Sequence, residues 1–204
     1  MILITIRKSG TMNEYEVLRT IYKVGHPISG IVSGYKWHEL VDGFHSCQIE
    51  IETDLAFKAI LPYQNLLDDY DYPVFRQELI PTLGTRLDMV VANYVNGTLY
   101  LSAKPSDVSA ERIAQFKSFY RYIEGLKVGN VITGRVKKAM PCGIFVDLQS
   151  PYPGLIDIGH TDFNLGKKLP YDNSKWPQED ELITCIITYF RLHNMQVGLG
   201  WSTD

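Results

Sequence analysis

The sequence predicts a mainly β chain, built as two successive five-stranded modules joined by an α-helix. Three observations carry that prediction. KVGHPISGIV at residues 23–32 returns as KVGNVITGRV at residues 127–136, identical at six of ten positions. A stretch of helical spacing leads into each copy, NEYEVLRTIY before the first and AQFKSFYRYIEGL before the second. After each copy, short runs of alternating apolar and polar residues follow in the same order, the pattern of half-buried strands. A repeat at about half the chain length sets the architecture before any single element does.

Composition agrees. A chain of 204 residues suits two domains, each of about 100 residues, the common size. Hydrophobic content of 45% and charged content of 21% are ordinary for a globular protein with a modest core in each half. No apolar run reaches the ~18 residues of a membrane span. MILITIRKSG is too short and too poorly flanked for a signal peptide, and is either a leader or an added strand. Cys47, Cys142 and Cys185 form no C-x-x-C pair, which argues against a zinc site or a disulfide framework and fits a reducing cytoplasm. Residues 1–105 hold nine Lys/Arg against twelve Asp/Glu, and residues 106–204 hold eleven against eleven. Neither half has the basic excess of a strong non-specific nucleic-acid binder.

The elements follow in order. Asn13 and Glu16 resemble a capping box opening a short helix that ends near Gly25. PISGIVSGYKW and FHSCQIEIETD are two strands; in the second, Cys47, Ile49 and Ile51 share one face. AFKAIL is a third. A long connection rich in Asp and Tyr precedes RLDMVVANY and TLYLSAK, whose Asn96-Gly97 marks a hairpin. Ser106 or Ser109 caps the next helix, with Ile113, Phe116, Tyr120 and Ile123 as its apolar stripe. The second module repeats the order with VITGRVKKA, CGIFVDLQ, GLIDIG, a long connection, LITCIITYF and MQVGLGW. Five short strands with the long connection after the third match the Greek-key barrel called the OB-fold. Gly30, Gly34, Gly134 and Gly143 fit sites where such strands bend or backbones approach. The boundaries are a leader and short helix over 1–22, the first barrel over 23–104, a linker helix over 105–126 and the second barrel over 127–204.

At VGNVITGRVKKAMPCGIFVDLQSPYPGLIDI the second module resembles the S-one RNA-binding domain, the repeat named after a protein of the small ribosomal subunit. Gly129, Gly134, Val136, Gly143, Phe145, Val146, Asp147, Gly154, Leu155 and Ile158 stand in register with the family pattern over roughly residues 127–201. The first module keeps only the outline, with Gly25, Ile28, Gly30 and Val32. The resemblance implies single-stranded RNA held on the face of the first three strands. Arg135 matches a basic position and Phe145 an aromatic one, whereas Cys142 and Asp157 replace a second aromatic and a histidine.

Arg135, Lys137, Lys138, Phe145, Trp37 and Phe44 are therefore the candidate nucleic-acid-binding residues. Phe145 is either an exposed stacking platform or a core side chain. Arg135 and Lys137 alternate onto one face, to meet phosphates or simply water. Asp157 opposes a phosphate or pairs with Arg135. Trp37, His38, Phe44 and His45 surround the first hairpin and either stack on a ligand or pack beneath the long connection. Lys167 and Lys168 read as solvated loop charges. Asp68, Asp69 and Asp71 lack the ordered spacing of a calcium loop. No nucleophile–base pair, phosphate loop or metal motif is legible, so neither an enzyme nor a cofactor is expected. The expected function is a non-enzymatic, cytoplasmic RNA-binding protein, and the alternative is a protein-interaction module on the same scaffold. No membrane partner is expected.

Overall fold

Why the KVG string occurs twice is visible in the computed structural model, which describes residues 12–39, 45–55, 57–68, 75–159, 169–170 and 172–202. Each copy opens on a turn glycine in the left-handed region, Gly25 at φ +81° and Gly129 at φ +90°, and then enters the first strand of a barrel. In the first barrel β1 (Pro27–Glu39) pairs with both β2 (His45–Glu52) and β4 (Arg86–Val95). The parallel pairing of β3 (Lys58–Pro62) with β5 (Thr98–Ser102) completes a closed barrel in the order β1-β2-β3-β5-β4. Both residues of the Asn96-Gly97 turn have positive φ, as a two-residue hairpin of the favoured hand requires.

The second barrel repeats this arrangement. Its strands are β6 (Val131–Met140), β7 (Gly143–Asp147), β8 (Gly154–Asp157), β9 (Leu182–Arg191) and β10 (Gln196–Ser202), closed in the order β6-β7-β8-β10-β9. Both barrels have OB-fold topology, and the chain is mainly β. Even the irregularities recur. A bulge leaves Ser33 extra in β1 and Lys137 extra in β6, each directly after the Gly-x-Val. A second leaves Ala92 extra in β4 and Thr188 extra in β9. The glycine of the Gly-x-Val lets two strands close on each other: a Cβ at Gly134 would lie 2.4 Å from the Val146 side chain, and one at Gly30 2.4 Å from Ile51.

Alternation fills both interiors. Val32, Cys47, Ile49, Leu61, Val91 and Leu101 are buried in the first barrel, and Val136, Ile144, Ile156, Cys185, Ile187, Val197 and Leu199 in the second. Burial pushes the Cys185 thiol up to about 12, so it behaves as a small apolar side chain.

Three α-helices lie among the described residues. α1 (Met12–Ile21) begins before Asn13, so Asn13 stands inside the helix rather than at its cap, and it ends four residues short of Gly25. A short α2 (Pro105–Val108) precedes α3 (Ala110–Glu124), which Ser109 caps by accepting from the Arg112 amide at 3.1 Å. The buried positions of α3 are Phe116 and Phe119, not the full stripe expected from Ile113 to Ile123. The chain divides into two units at Phe116/Lys117. Within the first, the Phe116 ring fills the space where Gly25 lacks a side chain; within the second, Phe119 packs edge-on to Tyr152 at 4.9 Å.

Candidate nucleic-acid interface

Ile144 and Val146 point into the second barrel, at 0% and 1% exposure, so alternation turns Phe145 outward, where it is partly exposed. Its neighbour across the ladder is Lys138, because the β6 bulge shifts the register from Val136↔Val146 to Lys138↔Phe145. The bulge also changes the expected alternation: Lys137 is the extra residue, and Lys137 and Lys138 line one groove together with Phe145 and Met140. Ser150, Pro151 and Pro153 of the β7–β8 connection form another part of its wall, and the volume is about 630 Å³. Asp147 and Glu179 also line the groove, so two lysines face two carboxylates and the local field is close to balanced.

Arg135 stands apart from that group. Its Nη1 donates to the Asp180 backbone carbonyl at 2.5 Å, and its register partner is Asp147. Asp157 pairs with Arg191 at the end of β9 instead of with Arg135. It is only 9% exposed, and its carboxylate accepts from the Gly159 amide at 2.7 Å as well as from the Arg191 guanidinium. Its charge is neutralised locally and presents little repulsion to a phosphate.

Tyr189 is a surface residue that sequence reasoning missed. Strict alternation from Ile183, Cys185 and Ile187 sends it into the core. The extra residue Thr188 reverses the phase, and the Tyr189 ring lies over Gly198, where a Cβ would come within 2.4 Å of it. Arg191 donates to its hydroxyl at 3.3 Å. Burial pushes the phenol above its ordinary range, so it is un-ionised at neutral pH. Two aromatics thus lie on one transverse row of the outer face, Lys138–Phe145–Leu155–Gly198–Tyr189. At the end of the same face Gln196, opposite Arg191, has a buried Oε1 that meets no donor among the described residues.

The corresponding row of the first barrel is Gly34–Glu50–Ile60–Tyr100–Asn93. Glu50 occupies the place of Phe145 and faces Lys58 at 3.7 Å, and glycine replaces Lys138. Trp37 lies beyond this row, in a stretch of the first hairpin longer than its counterpart. It is 49% exposed and edge-on to Phe75 at 5.7 Å, so the long connection covers part of it. Phe44, Lys167 and Lys168 lie outside the described residues, as do residues 1–11, Asp69 and Asp71. Asp68 accepts from the Ser106 amide at 3.1 Å, which makes it a cap for α2. Among the described residues no cluster of His, Cys, Asp or Glu is arranged to hold a metal ion.

No family model and no curated protein matches the chain. Among solved structures, GSP13 from Bacillus subtilis is similar at 20% identity and TM-score 0.29, over 37% of this chain and 55% of its own. A multidomain protein with nucleic-acid-binding domains from Streptococcus pneumoniae is similar at 13% identity and TM-score 0.28, over 87% of this chain and 51% of its own. The alpha subunit of aIF2 from Pyrococcus abyssi is similar at 12% identity and TM-score 0.29, over 50% of this chain and 37% of its own. The chain therefore spans about half the length of these proteins, or less. At such scores the likenesses decide nothing about what it binds, and the OB-fold assignment rests on the strand ladders themselves.

Proposed function

We propose that the chain is a non-enzymatic, cytoplasmic protein that binds single-stranded RNA on the outer face of its second barrel. The observation that carries this reading is Phe145, turned out of the core into an open groove beside Lys137 and Lys138. A ring in that position stacks on a base of any sequence, and the ammonium groups meet phosphates. Arg135 is tied to Asp180 and contributes less than its place in the S-one pattern implies. Titration of the full chain with short single-stranded RNA at ~50 mM salt, where electrostatic affinity is high, tests it. Binding that weakens as salt rises is expected, and no detectable binding at the low salt overturns it.

A second reading applies to the first barrel. Its row has Glu50, paired with Lys58, in the place of Phe145 and glycine in the place of Lys138, so it lacks the ring and the ammonium group on which the first reading rests, which favours a protein-interaction role for that half. A pull-down from nuclease-treated lysate separates the two: a protein partner survives nuclease, and an RNA-bridged one does not.

A further inference from the structure

Resting on that reading, we infer that Asp147 reads the edge of the base stacked on Phe145. It selects bases with an exocyclic amino group, which among the pyrimidines means cytosine over uracil. Phe145 and Asp147 alternate along β7 with the buried Ile144, Val146 and Leu148, so both leave the barrel on its outer face, and both line the groove. Positions two apart on one strand face are about 6.7 Å apart. A six-membered base ring lying on Phe145 and one hydrogen bond of about 2.9 Å together span that gap. The carboxylate is oriented, because its Oδ1 accepts from the Gln149 amide at 2.8 Å. Arg135, its register partner across the ladder, is tied to the Asp180 carbonyl instead. The other oxygen, Oδ2, has no hydrogen-bond partner among the described residues and is open to a donor on a ligand.

The connection that follows Asp147 holds this arrangement. The Ser150 hydroxyl donates to the Tyr152 carbonyl at 2.8 Å and accepts from the Tyr152 amide at 3.2 Å. The Tyr152 ring in turn packs 4.9 Å from Phe119 and 5.2 Å from Tyr122 of α3. Cytosine and uracil share a ring size and a backbone, so neither stacking on Phe145 nor phosphate contacts with Lys137 and Lys138 tell them apart. Their edges do. The cytosine amino group donates to a carboxylate, whereas uracil presents O4 at the same place, an acceptor facing an acceptor. Glu179 also lines the groove, but it comes from another connection and no hydrogen bond among the described residues orients its carboxylate. The first barrel has Glu52 at the position matching Asp147, but Glu50 stands where Phe145 does, so no ring lies beside that carboxylate.

The test uses the full chain at neutral pH with an oligocytidylate and an oligouridylate, each of about 12 nucleotides, within the span of one OB-fold site. The native chain should bind the cytidylate about tenfold more tightly. Asp147→Asn keeps the side-chain carbonyl that accepts from the Gln149 amide, since either residue forms that turn, and places an N–H donor where Oδ2 stood. It should lower the cytidylate-to-uridylate ratio at least about fivefold. Glu179→Gln should shift both oligomers alike, and Phe145→Ala should weaken both by about tenfold. Unfolding midpoints establish that the variants are folded. If both oligomers bind and Phe145→Ala weakens both, but the native ratio is near one or Asp147→Asn leaves it unchanged, the role of Asp147 is overturned while the RNA reading stands. A ratio that responds to Glu179→Gln in place of Asp147→Asn overturns it equally. If the native chain binds neither oligomer, the RNA reading fails and this inference fails with it.

Discussion

Gly143 shows how a single residue shapes the candidate surface. It sits at φ +139°, and a Cβ there would lie 2.1 Å from the Ile156 carbonyl oxygen, a backbone atom that cannot swing away. Gly129 also has a positive φ, +90°, but open space around the missing side chain. Replacing each by alanine separates strain from collision. Gly129→Ala should cost about 1–2 kcal/mol, the penalty of a left-handed conformation alone. Gly143→Ala should cost at least about 3 kcal/mol, because β7 must move off β8 as well. Urea denaturation of the two variants measures both, and equal losses would contradict the geometry. Because Phe145 rides on the same strand, Gly143→Ala should also weaken RNA binding, whereas Gly129→Ala should not.

At the scale of the element, the two bulges decide which side chains meet. Alternation alone placed Arg135 with Lys137, and it gave Tyr189 no surface role. One extra residue in β6 instead brings Lys137 and Lys138 to the groove, and one in β9 reverses Tyr189. If those two lysines supply the phosphate contacts, the slope of log affinity against log salt should be about −1.4 for a single strand, from about 0.7 per contact. Lys137→Ala with Lys138→Ala should bring it near zero, while Arg135→Ala should change it little; a large effect of Arg135 would show that its tie to Asp180 is released on binding. The strands and the glycine positions were legible because they follow from local alternation and punctuation, whereas alternation alone left Phe145 open between the outer face and the core. The bulges were not, because an extra residue is defined only by the partner strand. The Asp157–Arg191 pair was hidden for a related reason, since the two residues meet only once β8 and β9 are folded onto the same barrel.

Across the whole chain, the two barrels share ladder register and bulge positions although their sequences agree closely only at the KVG strings. What differs is the outward row: Lys138 and Phe145 in one barrel stand where Gly34 and Glu50 stand in the other. That contrast predicts a gain of function. Ser33→Lys, Gly34→Lys and Glu50→Phe together should give the first barrel an RNA-binding face and raise the stoichiometry of oligouridylate from one to two per chain, measured by calorimetric titration. The near neighbour of the missing Gly34 Cβ is the Glu50 carboxylate, at 2.9 Å, so the Gly34 and Glu50 replacements have to be made together.

The shared bulge between Gly-x-Val and the hairpin has a last consequence. Since the unpaired residue at that point belongs to neither interior ladder partner, its identity is exempt from the packing rules that hold Val32 and Val136 in place. Serine in one copy and lysine in the other are both compatible with the same architecture, so mutation can drift there at little thermodynamic risk. A duplicated gene segment could in this way have kept its scaffold while its two products diverged in what they touch.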